Sequence, residues 1–363
     1  MPHFDIIKKA DPSESFRVKS VMGSYDMTAA HTEEHFSGDI DLPEKWNIGL
    51  IVGRSGTGKT TIARELFGDC IINGYEYKHE SILDDMPRGA SVQEICQALT
   101  SVGFASPPSW LKSYAVLSNG EKMRCDLARA ILEKRDLFVF DEFTSVVDRN
   151  VAKVGSLAMQ KAIRRGGQKF IAVTCHADVE PWLMPDWVFN TDTMTFSTKD
   201  LEEQKKNRPG IVLDIYEIKD NKSEYWRVFR KYHYLTGQFQ KGARVWLCYA
   251  NGQLAGFTSF LHYPTPHYDN LKKAHRVVVL PDYQGIGIAK TMLKVAASQM
   301  KKEGFKVTLC SSNVAMIMSM KRNPDWSCIR LGRQCAWNKS TMPSLRASNS
   351  QNRITGNFEY VGQ

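Results

Sequence analysis

The chain has 363 residues, of which 42% are apolar and 24% charged, so it is long enough for two or three globular domains with separate cores. No stretch approaches the roughly 18 apolar residues of a membrane helix, and the N-terminus lacks the apolar segment of an export signal. The eight cysteines lack zinc-site spacing. Together these observations predict a cytoplasmic protein with reduced thiols and no membrane partner. The net charge is −7 over residues 1–204 and +16 over residues 205–363, so the second half is a candidate for binding nucleic acid or another polyanion.

A glycine-rich loop follows the first buried strand that the sequence predicts. Residues 48–52 are an apolar run typical of a buried parallel strand, and the loop 53–60 reads Gly-Arg-Ser-Gly-Thr-Gly-Lys-Thr before a helix predicted over 59–67. Glycines let backbone N–H groups converge on phosphate oxygens, and the helix N-terminus adds its dipole. The pattern predicts a nucleotide P-loop in which Lys59 contacts the β- and γ-phosphates and Thr60 binds Mg²⁺. The residues predicted to bind ATP here are Gly53, Ser55, Gly56, Gly58, Lys59, Thr60 and Thr61.

Two acidic residues end a second buried strand. Residues 135–140 are followed directly by Asp141 and Glu142. In a P-loop protein the first carboxylate belongs to the magnesium shell, so Asp141 is predicted to bind Mg²⁺ together with Thr60. Glu142 is predicted to be the base that polarises the attacking water.

The segment Leu117-Ser118-Asn119-Gly120-Glu121 lies between these two motifs. Its Ser-x-x-Glu pattern is a capping box for a helix predicted from Glu121 to Lys134. The same loop resembles the LSGGQ signature of the ABC ATPase family. Residues 145–148 resemble the D-loop of that family, and His176, after a strand predicted at 170–174, resembles its switch histidine. The resemblance covers about residues 15–200.

This resemblance implies an ATP-sandwiched, head-to-tail homodimer, in which Ser118 and Gly120 contact the nucleotide held by the other subunit. It also implies a catalytic role for His176. The chain resembles the soluble, non-transporter branch of the family, and a cassette serving a separate permease subunit is the alternative. Two positions are open to two residues each: the Q-loop residue, Asp84 or Asp85, and the adenine-stacking ring, Tyr25 or Phe36.

A polar stretch at 191–210 separates the two halves and closes with Pro209-Gly210, a strong structure breaker. We therefore predict an ATPase domain at 1–197, a linker at 198–210 and a second domain at 211–363. Residues 337–357 are rich in Ser, Asn and Gln, and their charges, on Lys339, Arg346 and Arg353, are all basic, which predicts a mobile basic tail or loop.

The second half is predicted to alternate strands and helices. Two strands at 244–250 and 253–261 are joined by Asn251-Gly252, a strong hairpin signal. A later strand at 276–280 leads into Gln284-Gly285-Ile286-Gly287-Ile288-Ala289, which opens a helix. This strand, loop and helix resemble the acyl-CoA loop of the GNAT acetyltransferase family, and the resemblance covers about residues 211–335. The fold class predicted for the whole chain is α/β, a P-loop ABC ATPase domain followed by an α+β GNAT domain.

The GNAT resemblance implies a site for acetyl-CoA. Amides of the loop would bind the CoA pyrophosphate, and the strand edge around Val278 and Val279 would hold the pantetheine and polarise the thioester. The residues predicted to bind acetyl-CoA are Val278, Val279, Gln284, Gly285, Gly287 and Ala289.

In this family an amine attacks the thioester directly, so a general base is useful and a cysteine nucleophile is not required. The candidate histidines are His233, His262, His267 and His275, with Tyr234 and Tyr263 beside them. The residues predicted to be catalytic here are His233, Tyr234 and His275. Where the family often places a general-acid tyrosine, this chain has Ser311, Ser312 and Asn313.

Aromatic and basic residues are interleaved at 231–235 and at 262–276. Aromatic rings beside cations that contact phosphates are suited to binding unpaired or flipped bases. The alternative interpretation is a stiff surface loop whose basic residues are only solvated. The whole chain resembles bacterial and phage fusion proteins linked to nucleic-acid base modification. We therefore predict acyl transfer to an amine on a nucleic-acid base, with the ATPase gating or positioning the reaction. The alternatives are acetylation of a protein or small-molecule amine, and an ATP-dependent nucleic-acid clamp whose GNAT domain only senses CoA.

Overall fold

The computed structural model describes residues 3–9, 11–28, 33–72, 74–234, 237–333 and 354–363. These residues form two compact units that are not consecutive along the chain. The first consists of Met1–Gly74, Arg135–Val146 and Ile163–Arg208, and the second of Tyr75–Lys134, Val147–Ala162 and Pro209–Gln363. The segment that carries the signature-like loop is therefore grouped with the C-terminal half. The last change of unit, after Arg208, falls inside the predicted linker 198–210, and the predicted domain boundaries themselves stay a prediction.

The strands of the first unit are β1 (His3–Lys9), β2 (Glu33–Asp39), β3 (Ile48–Val52), β4 (Ile71–Ile72), β5 (Leu137–Phe140), β6 (Lys169–Thr174), β7 (Trp187–Asn190) and β8 (Thr195–Thr198). β1 and β2 form an antiparallel pair, and the other six form one sheet in the order β4-β5-β6-β3-β7-β8. β5, β6 and β3 are parallel neighbours, so their carboxyl ends lie along one edge of the sheet.

The core of the first unit explains why its central strands are apolar throughout. All five residues of β3 are buried, as expected for a strand covered on both faces. Ile51, Ile171 and Trp187 belong to one buried cluster with the helix residue Ile62. Burying each such side chain contributes about 1.5–3 kcal/mol. The predicted parallel strand at 48–52 is confirmed.

The strands of the second unit are β9 (Leu213–Ile218), β10 (Arg244–Ala250), β11 (Gln253–His262), β12 (Leu271–Val279), β13 (Lys306–Ser311), β14 (Trp326–Arg333) and β15 (Ile354–Tyr360). They form one sheet in the order β14-β15-β13-β12-β11-β10-β9. Its pairs are antiparallel except for β12 and β13. The first sheet, which is parallel except for the antiparallel pair of β7 and β8, and this mixed sheet confirm the α/β fold class.

The α-helices of the described residues are α1 (Phe16–Ser24), α2 (Lys59–Phe67), α3 (Val92–Ser101), α4 (Pro107–Trp110), α5 (Asn119–Leu132), α6 (Arg149–Gly166), α7 (Glu180–Leu183), α8 (Leu201–Asn207), α9 (Lys222–Phe229), α10 (Ile288–Lys302) and α11 (Val314–Lys321). None of these helices is both long enough and apolar enough to cross a membrane. α10 buries Met292, Leu293, Ala296 and Met300, whose spacing of three and four residues forms one apolar face. That face anchors the helix that follows the acyl-CoA-like loop.

The hairpin predicted at Asn251-Gly252 is confirmed. Both residues have positive φ, 49° and 78°, and they connect β10 to β11. A two-residue loop with two left-handed residues matches the twist of the flanking strands, and asparagine and glycine tolerate that conformation best.

The predicted tail is wrong in part, because β15 begins at Ile354 inside the segment 337–357. β15 inserts between β13 and β14 and pairs with both, and Phe358 is fully buried. The short apolar alternation of this strand is weak by itself, and pairing on both sides stabilises it. Residues 334–353, which include Lys339, Arg346 and Arg353, lie outside the described residues.

The parallel pair β12 and β13 is short. Only Leu271–Lys273 of β12 pair with Lys306–Thr308 of β13. From Ala274 to Val279, β12 pairs only with β11, while β13 continues beside β15. Two strands that are parallel neighbours at one end therefore separate toward the acyl-CoA-like loop, and one edge of β12 keeps backbone groups without a ladder partner among the described strands.

Candidate ATP and acyl-CoA sites

The P-loop turns from β3 into α2 through glycines with positive φ. Gly56 has a φ of 86° and Gly58 a φ of 79°, and Gly58 is the N-cap of α2. Residues with a Cβ pay a steric cost in this region. A Cβ at Gly56 would meet open space, so no described atom packs against that position of the loop. Helix α2 begins at Lys59, as predicted, and its first turn holds Thr60 and Thr61.

Two side chains support this loop from behind. Gly53 lies against Thr191, since a Cβ there would be 2.2 Å from its Oγ1. Gly58 lies against the ring of Phe36, which is 7% exposed and part of the core. Phe36 is therefore a supporting residue, whereas Tyr25 is 75% exposed. Of the two rings proposed for adenine stacking, Tyr25 has the accessible face.

The P-loop lysine is already directed into the loop. Lys59 is 8% exposed, and its Nζ donates a hydrogen bond of 2.6 Å to the carbonyl oxygen of Arg54. Arg54 is itself held by Asp192 through its backbone N–H and its Nε, at 3.1 Å each. The ammonium group thus lies within the loop, where a phosphate would meet it.

The predicted acidic pair and the switch histidine follow the carboxyl ends of neighbouring strands. Asp141 and Glu142 come directly after β5, and His176 comes two residues after β6. Since β5, β6 and β3 are parallel neighbours, the structure brings these three side chains and the P-loop to one edge of the sheet. Ligands of open α/β sheets bind at that edge.

Glu142 has an unusual backbone conformation. Its φ is 55°, and its N–H donates a hydrogen bond of 2.9 Å to Oδ1 of Asp141. A non-glycine residue in the left-handed region costs of order 1–3 kcal/mol, and such residues cluster at functional sites. The Glu142 side chain is exposed, so it is available to a water molecule.

The donor set fits Mg²⁺. Thr60 offers a hydroxyl and Asp141 a carboxylate, and oxygen ligands are the ones that Mg²⁺ prefers. Among the described residues, no group of three or more His, Cys, Asp or Glu side chains is arranged as a metal site. Mg²⁺ keeps several waters and binds phosphate oxygens, so one or two protein ligands are sufficient.

The signature-like loop lies in the second unit, and its capping box is confirmed. Oγ of Ser118 accepts from the N–H of Glu121, and the Glu121 carboxylate accepts from the N–H of Ser118 at 3.0 Å. Gly120 lies against Val151 of α6, because a Cβ there would be 3.2 Å from that side chain. The cap orders the start of α5 and satisfies the N–H of Glu121, and the dipole at this helix end favours a nearby anion.

The acyl-CoA-like loop uses the same backbone device as the P-loop. Gly285 has a φ of 85° and Gly287 a φ of 102°, and Gly287 is the N-cap of α10. A Cβ at Gly287 would meet open space. The N-terminus of α10, which carries Ala289 in its first turn, is therefore open to an anion, and the residues fit a pyrophosphate.

The separated edge of β12 leads into this loop. Val278 is 5% exposed and Val279 9% exposed, so their side chains belong to the core and only the backbone is offered to a ligand. The carbonyl oxygen of Val279 accepts a hydrogen bond of 2.8 Å from Nε2 of Gln284. Gln284 is 7% exposed. Its side chain fastens the loop to β12 and is not itself turned toward solvent.

The structure brings His233, Tyr234 and His275 into one cluster. The rings of His233 and Tyr234 stack at 5.3 Å, and His233 meets Trp226 edge to face at 5.6 Å. His275 lies 6.2 Å from Phe239, which stacks on Trp226. His262 and His267 are exposed, and among the described residues neither forms a ring contact with this cluster.

The electrostatics keep His275 neutral at pH 7. Burial and the positive charge of Arg276 lower its pKa to about 4. Its Nε2 is buried and has no hydrogen-bond partner among the described residues. Its Nδ1 faces Nη1 of Arg276 at 3.5 Å, and because a guanidinium can only donate, the neutral ring carries its proton on Nε2.

The sequence did not predict the contacts of two residues in this cluster, Arg276 and Ser312. Arg276 is 8% exposed, lies 5.8 Å from the Trp226 ring and donates to the carbonyl of Gln238 at 2.9 Å. Ser312 donates to the Tyr234 hydroxyl at 3.5 Å. An arginine at the start of a buried apolar strand was the available signal, because arginine is rarely buried without a specific partner. The Ser312 contact joins residues 78 positions apart, and no local pattern marks it.

Both halves of the chain are similar to known proteins. Residues 211–318 match the acetyltransferase (GNAT) family. The sn-glycerol-3-phosphate import ATP-binding protein UgpC of Cupriavidus necator is 28% identical over 171 residues, which are 38% of this chain and 46% of that protein. The spermidine/putrescine import ATP-binding protein PotA of Aliivibrio fischeri is 24% identical over 217 residues, which are 50% of this chain and 54% of that protein. The chain spans about half the length of the curated relatives it matches.

Among solved structures, the IAA acetyltransferase from Bacillus cereus is 13% identical with a TM-score of 0.30, and the match covers 41% of this chain and 99% of that one. That score is too low to support a conclusion. The sequence matches show what each half is similar to: the N-terminal half is similar to ATP-binding proteins of ABC type, and residues 211–318 match the GNAT acetyltransferase family.

Proposed function

We propose that this protein hydrolyses ATP and transfers an acyl group, most simply acetyl, from acyl-CoA to an amine. One observation carries the proposal: the chain has two helix N-termini capped by a glycine with positive φ, at Gly58 and at Gly287, and each lies in a half that is similar to a known family. Both have the local geometry of a site for a phosphorylated ligand. Two such sites in one chain call for two phosphorylated ligands, ATP and acyl-CoA.

In the ATP half, each residue has one role. Lys59 and the loop amides bind the β- and γ-phosphates, while Thr60 and Asp141 hold Mg²⁺. Glu142 orients and polarises the attacking water, and His176 acts beside it. Ser118 and the amides after it bind the γ-phosphate of a second copy, so the active species is a head-to-tail homodimer.

In the acyl-transfer half, bound acyl-CoA supplies an activated thioester. Loop amides at Gly285 and Gly287 bind the pyrophosphate, and the free edge of β12 aligns the pantetheine. The attacking amine loses its proton to a general base, for which His233 and His275 are the candidates, and the Tyr234 hydroxyl, in contact with Ser312, donates a proton to the departing thiolate.

We propose that the amine belongs to a nucleic-acid base. The net charge of +16 over residues 205–363 supports a polyanionic partner. Tyr263 and Tyr268 are about half exposed, and the ammonium groups of Lys273 and Lys306 lie 4.8 and 4.1 Å from their ring centroids. Exposed rings beside cations are suited to stacking with unpaired bases.

The test is a turnover assay. The full chain is incubated with acetyl-CoA and MgATP, and with single-stranded DNA, RNA or no polymer, while free thiol and phosphate are measured. Thiol release that requires a polymer supports the proposal, and nucleoside mass spectrometry then identifies the acylated base. Thiol release with a peptide or small amine alone assigns a different acceptor. Polymer-stimulated ATP hydrolysis without thiol release assigns a nucleic-acid clamp.

A further inference from the structure

The acyl-CoA loop is seated on a second loop of the same unit, at residues 103–106. Oε1 of Gln284 accepts from the N–H of Ala105 at 2.7 Å, and Nε2 donates to Oγ of Ser106 at 2.9 Å. Gly285 touches Gly103 so closely that a Cβ on Gly285 would lie 2.8 Å from the Cα of Gly103. The loop that binds the pyrophosphate is therefore positioned by the segment that precedes the signature-like loop in the chain.

Helix α5 makes a second connection to the acyl-CoA loop. Arg124 lies three residues after Glu121 of the capping box and is 1% exposed. Its Nη1 donates a hydrogen bond of 2.9 Å to the carbonyl oxygen of Pro281, three residues before Gln284. Its Nε and Nη2 are buried and have no hydrogen-bond partner among the described residues.

The surroundings of this guanidinium are acidic. Asp282, Glu121 and Asp148 all interact electrostatically with Arg124, Asp282 most strongly. Burial raises the pKa of Asp282, and the charge of Arg124 opposes that rise. A buried charge with unused donors is a poor way to stabilise a fold, since apolar replacements of buried ion pairs are often neutral or stabilising. The unused donors of the Arg124 guanidinium allow it to exchange one hydrogen-bond partner for another when the surrounding loops move.

Helix α6 makes a third connection. Oδ1 of Asp148, in the D-loop-like segment, accepts from the N–H groups of Asn150 and Val151 at 2.8 and 3.0 Å and so caps the start of α6. Further along α6, Ala158 lies against Gly285, with a Cβ at Gly285 placed 3.0 Å from the Cβ of Ala158. Both loops that face the second copy in the proposed dimer thus open a helix that touches the acyl-CoA loop.

We propose that Arg124 is a positioning residue that couples the signature-like loop to the acyl-CoA loop, so that ATP binding in the dimer changes the affinity for acyl-CoA. This inference rests on the proposed function. Arg124 lies six positions after Ser118, a rise of about 9 Å along the helix, so a displacement of the helix start moves the guanidinium and the Pro281 carbonyl with it. Coupling of binding sites is reciprocal, so acyl-CoA changes the affinity for ATP by the same factor.

The experiment measures the dissociation constant of acetyl-CoA by calorimetry, with and without MgATP, on the full chain carrying Glu142→Gln to slow hydrolysis. We expect MgATP to change that constant by about 5-fold or more, the lower range of known couplings. Arg124→Gln keeps a polar side chain but loses the guanidinium donors. It should reduce the ratio of the acetyl-CoA dissociation constants without and with MgATP to about 1. Arg124→Lys keeps a cationic donor and should restore part of it.

Arg129→Gln is the matched control. Arg129 lies on the same helix and also donates to a carbonyl, that of Glu76, at 2.9 Å, but it does not reach residues 281–285. Its variant should keep the full factor. If Arg124→Gln fails to fold, Arg124→Met replaces it, because an apolar side chain of similar length removes the buried charge without leaving unpaired donors.

The outcomes separate this inference from the proposed function. If the parent protein binds neither acetyl-CoA nor ATP, the proposed function fails. If it binds both but MgATP leaves the acetyl-CoA constant unchanged, the function stands and the coupling is wrong. If Arg124→Gln or Arg124→Met keeps the same factor as Arg129→Gln, the coupling exists but Arg124 does not carry it, and the inference is overturned.

Discussion

Replacing Gly285 by alanine tests, without any ligand, how the acyl-CoA-like loop packs against residues 103–106. The residue has a φ of 85°, and its missing Cβ would lie 2.8 Å from the Cα of Gly103 and 3.0 Å from the Cβ of Ala158. Neither neighbour is the flexible end of a long side chain, so the backbone of one loop must shift. The substitution therefore carries a conformational cost and a packing cost.

Each cost has a separate magnitude. An alanine in the left-handed region costs about 1–2 kcal/mol, and an extra methyl group in a packed site typically costs a further 1–3 kcal/mol. Gly304→Ala is the matched control, because Gly304 has a φ of 88° and a Cβ there would meet open space. Subtracting the control isolates the contact with Gly103, and about 1–3 kcal/mol of extra destabilisation should remain.

The assay is urea unfolding followed by tryptophan fluorescence, with the free energies of unfolding compared among the parent, Gly285→Ala and Gly304→Ala. The free energy of unfolding of Gly285→Ala should be clearly lower than that of Gly304→Ala. Gly103→Ala should be destabilised about as much as Gly285→Ala, since the φ of Gly103 is also 85° and a Cβ there would lie 2.8 Å from the Gln284 carbonyl oxygen. Equal free energies for Gly285→Ala and Gly304→Ala would refute the close approach of the two loops.

Three further predictions concern the sites. Lys59→Ala should abolish tight ATP binding. Glu142→Gln should bind ATP and be trapped as a dimer. If light scattering shows that this variant stays a monomer with ATP bound, the ATP-sandwiched dimer is wrong. Gly287→Glu should remove acetyl-CoA binding, measured by calorimetry, while ATP binding persists, because a carboxylate would enter the space at the N-terminus of α10. An unchanged affinity for acetyl-CoA would mean that the loop has another role. The depressed pKa of His275, about 4, contributes stability that is fully present above the pH of about 6.5 at which an unfolded histidine titrates and that is lost as the pH falls toward 4. Between pH 7 and 4, the free energy of unfolding of His275→Gln should fall less steeply with pH than that of His262→Gln. Parallel curves for the two variants would mean that the His275 ring is not buried.

The sequence by itself determined the elements whose conformation depends on neighbouring residues. The glycines of the P-loop, the Asn251-Gly252 hairpin and the Ser118 to Glu121 capping box were all read from patterns shorter than ten residues, and each is confirmed. Such features are local because φ preferences and capping hydrogen bonds act within a few residues. The same reason explains why the loop resembling an acyl-CoA site was found together with the helix that follows it.

The tertiary structure decided which loops meet. Pairing of β15 between β13 and β14, burial of Arg276 under Trp226, and the hydrogen bond from Arg124 to Pro281 join residues far apart in sequence. These contacts depend on the packing of whole elements, because a buried polar group is stable only where distant atoms complete its hydrogen bonds. Gln284 shows the difference: its position in the loop motif was evident from the sequence, whereas its role as the fastening of that loop to Ser106 required the fold.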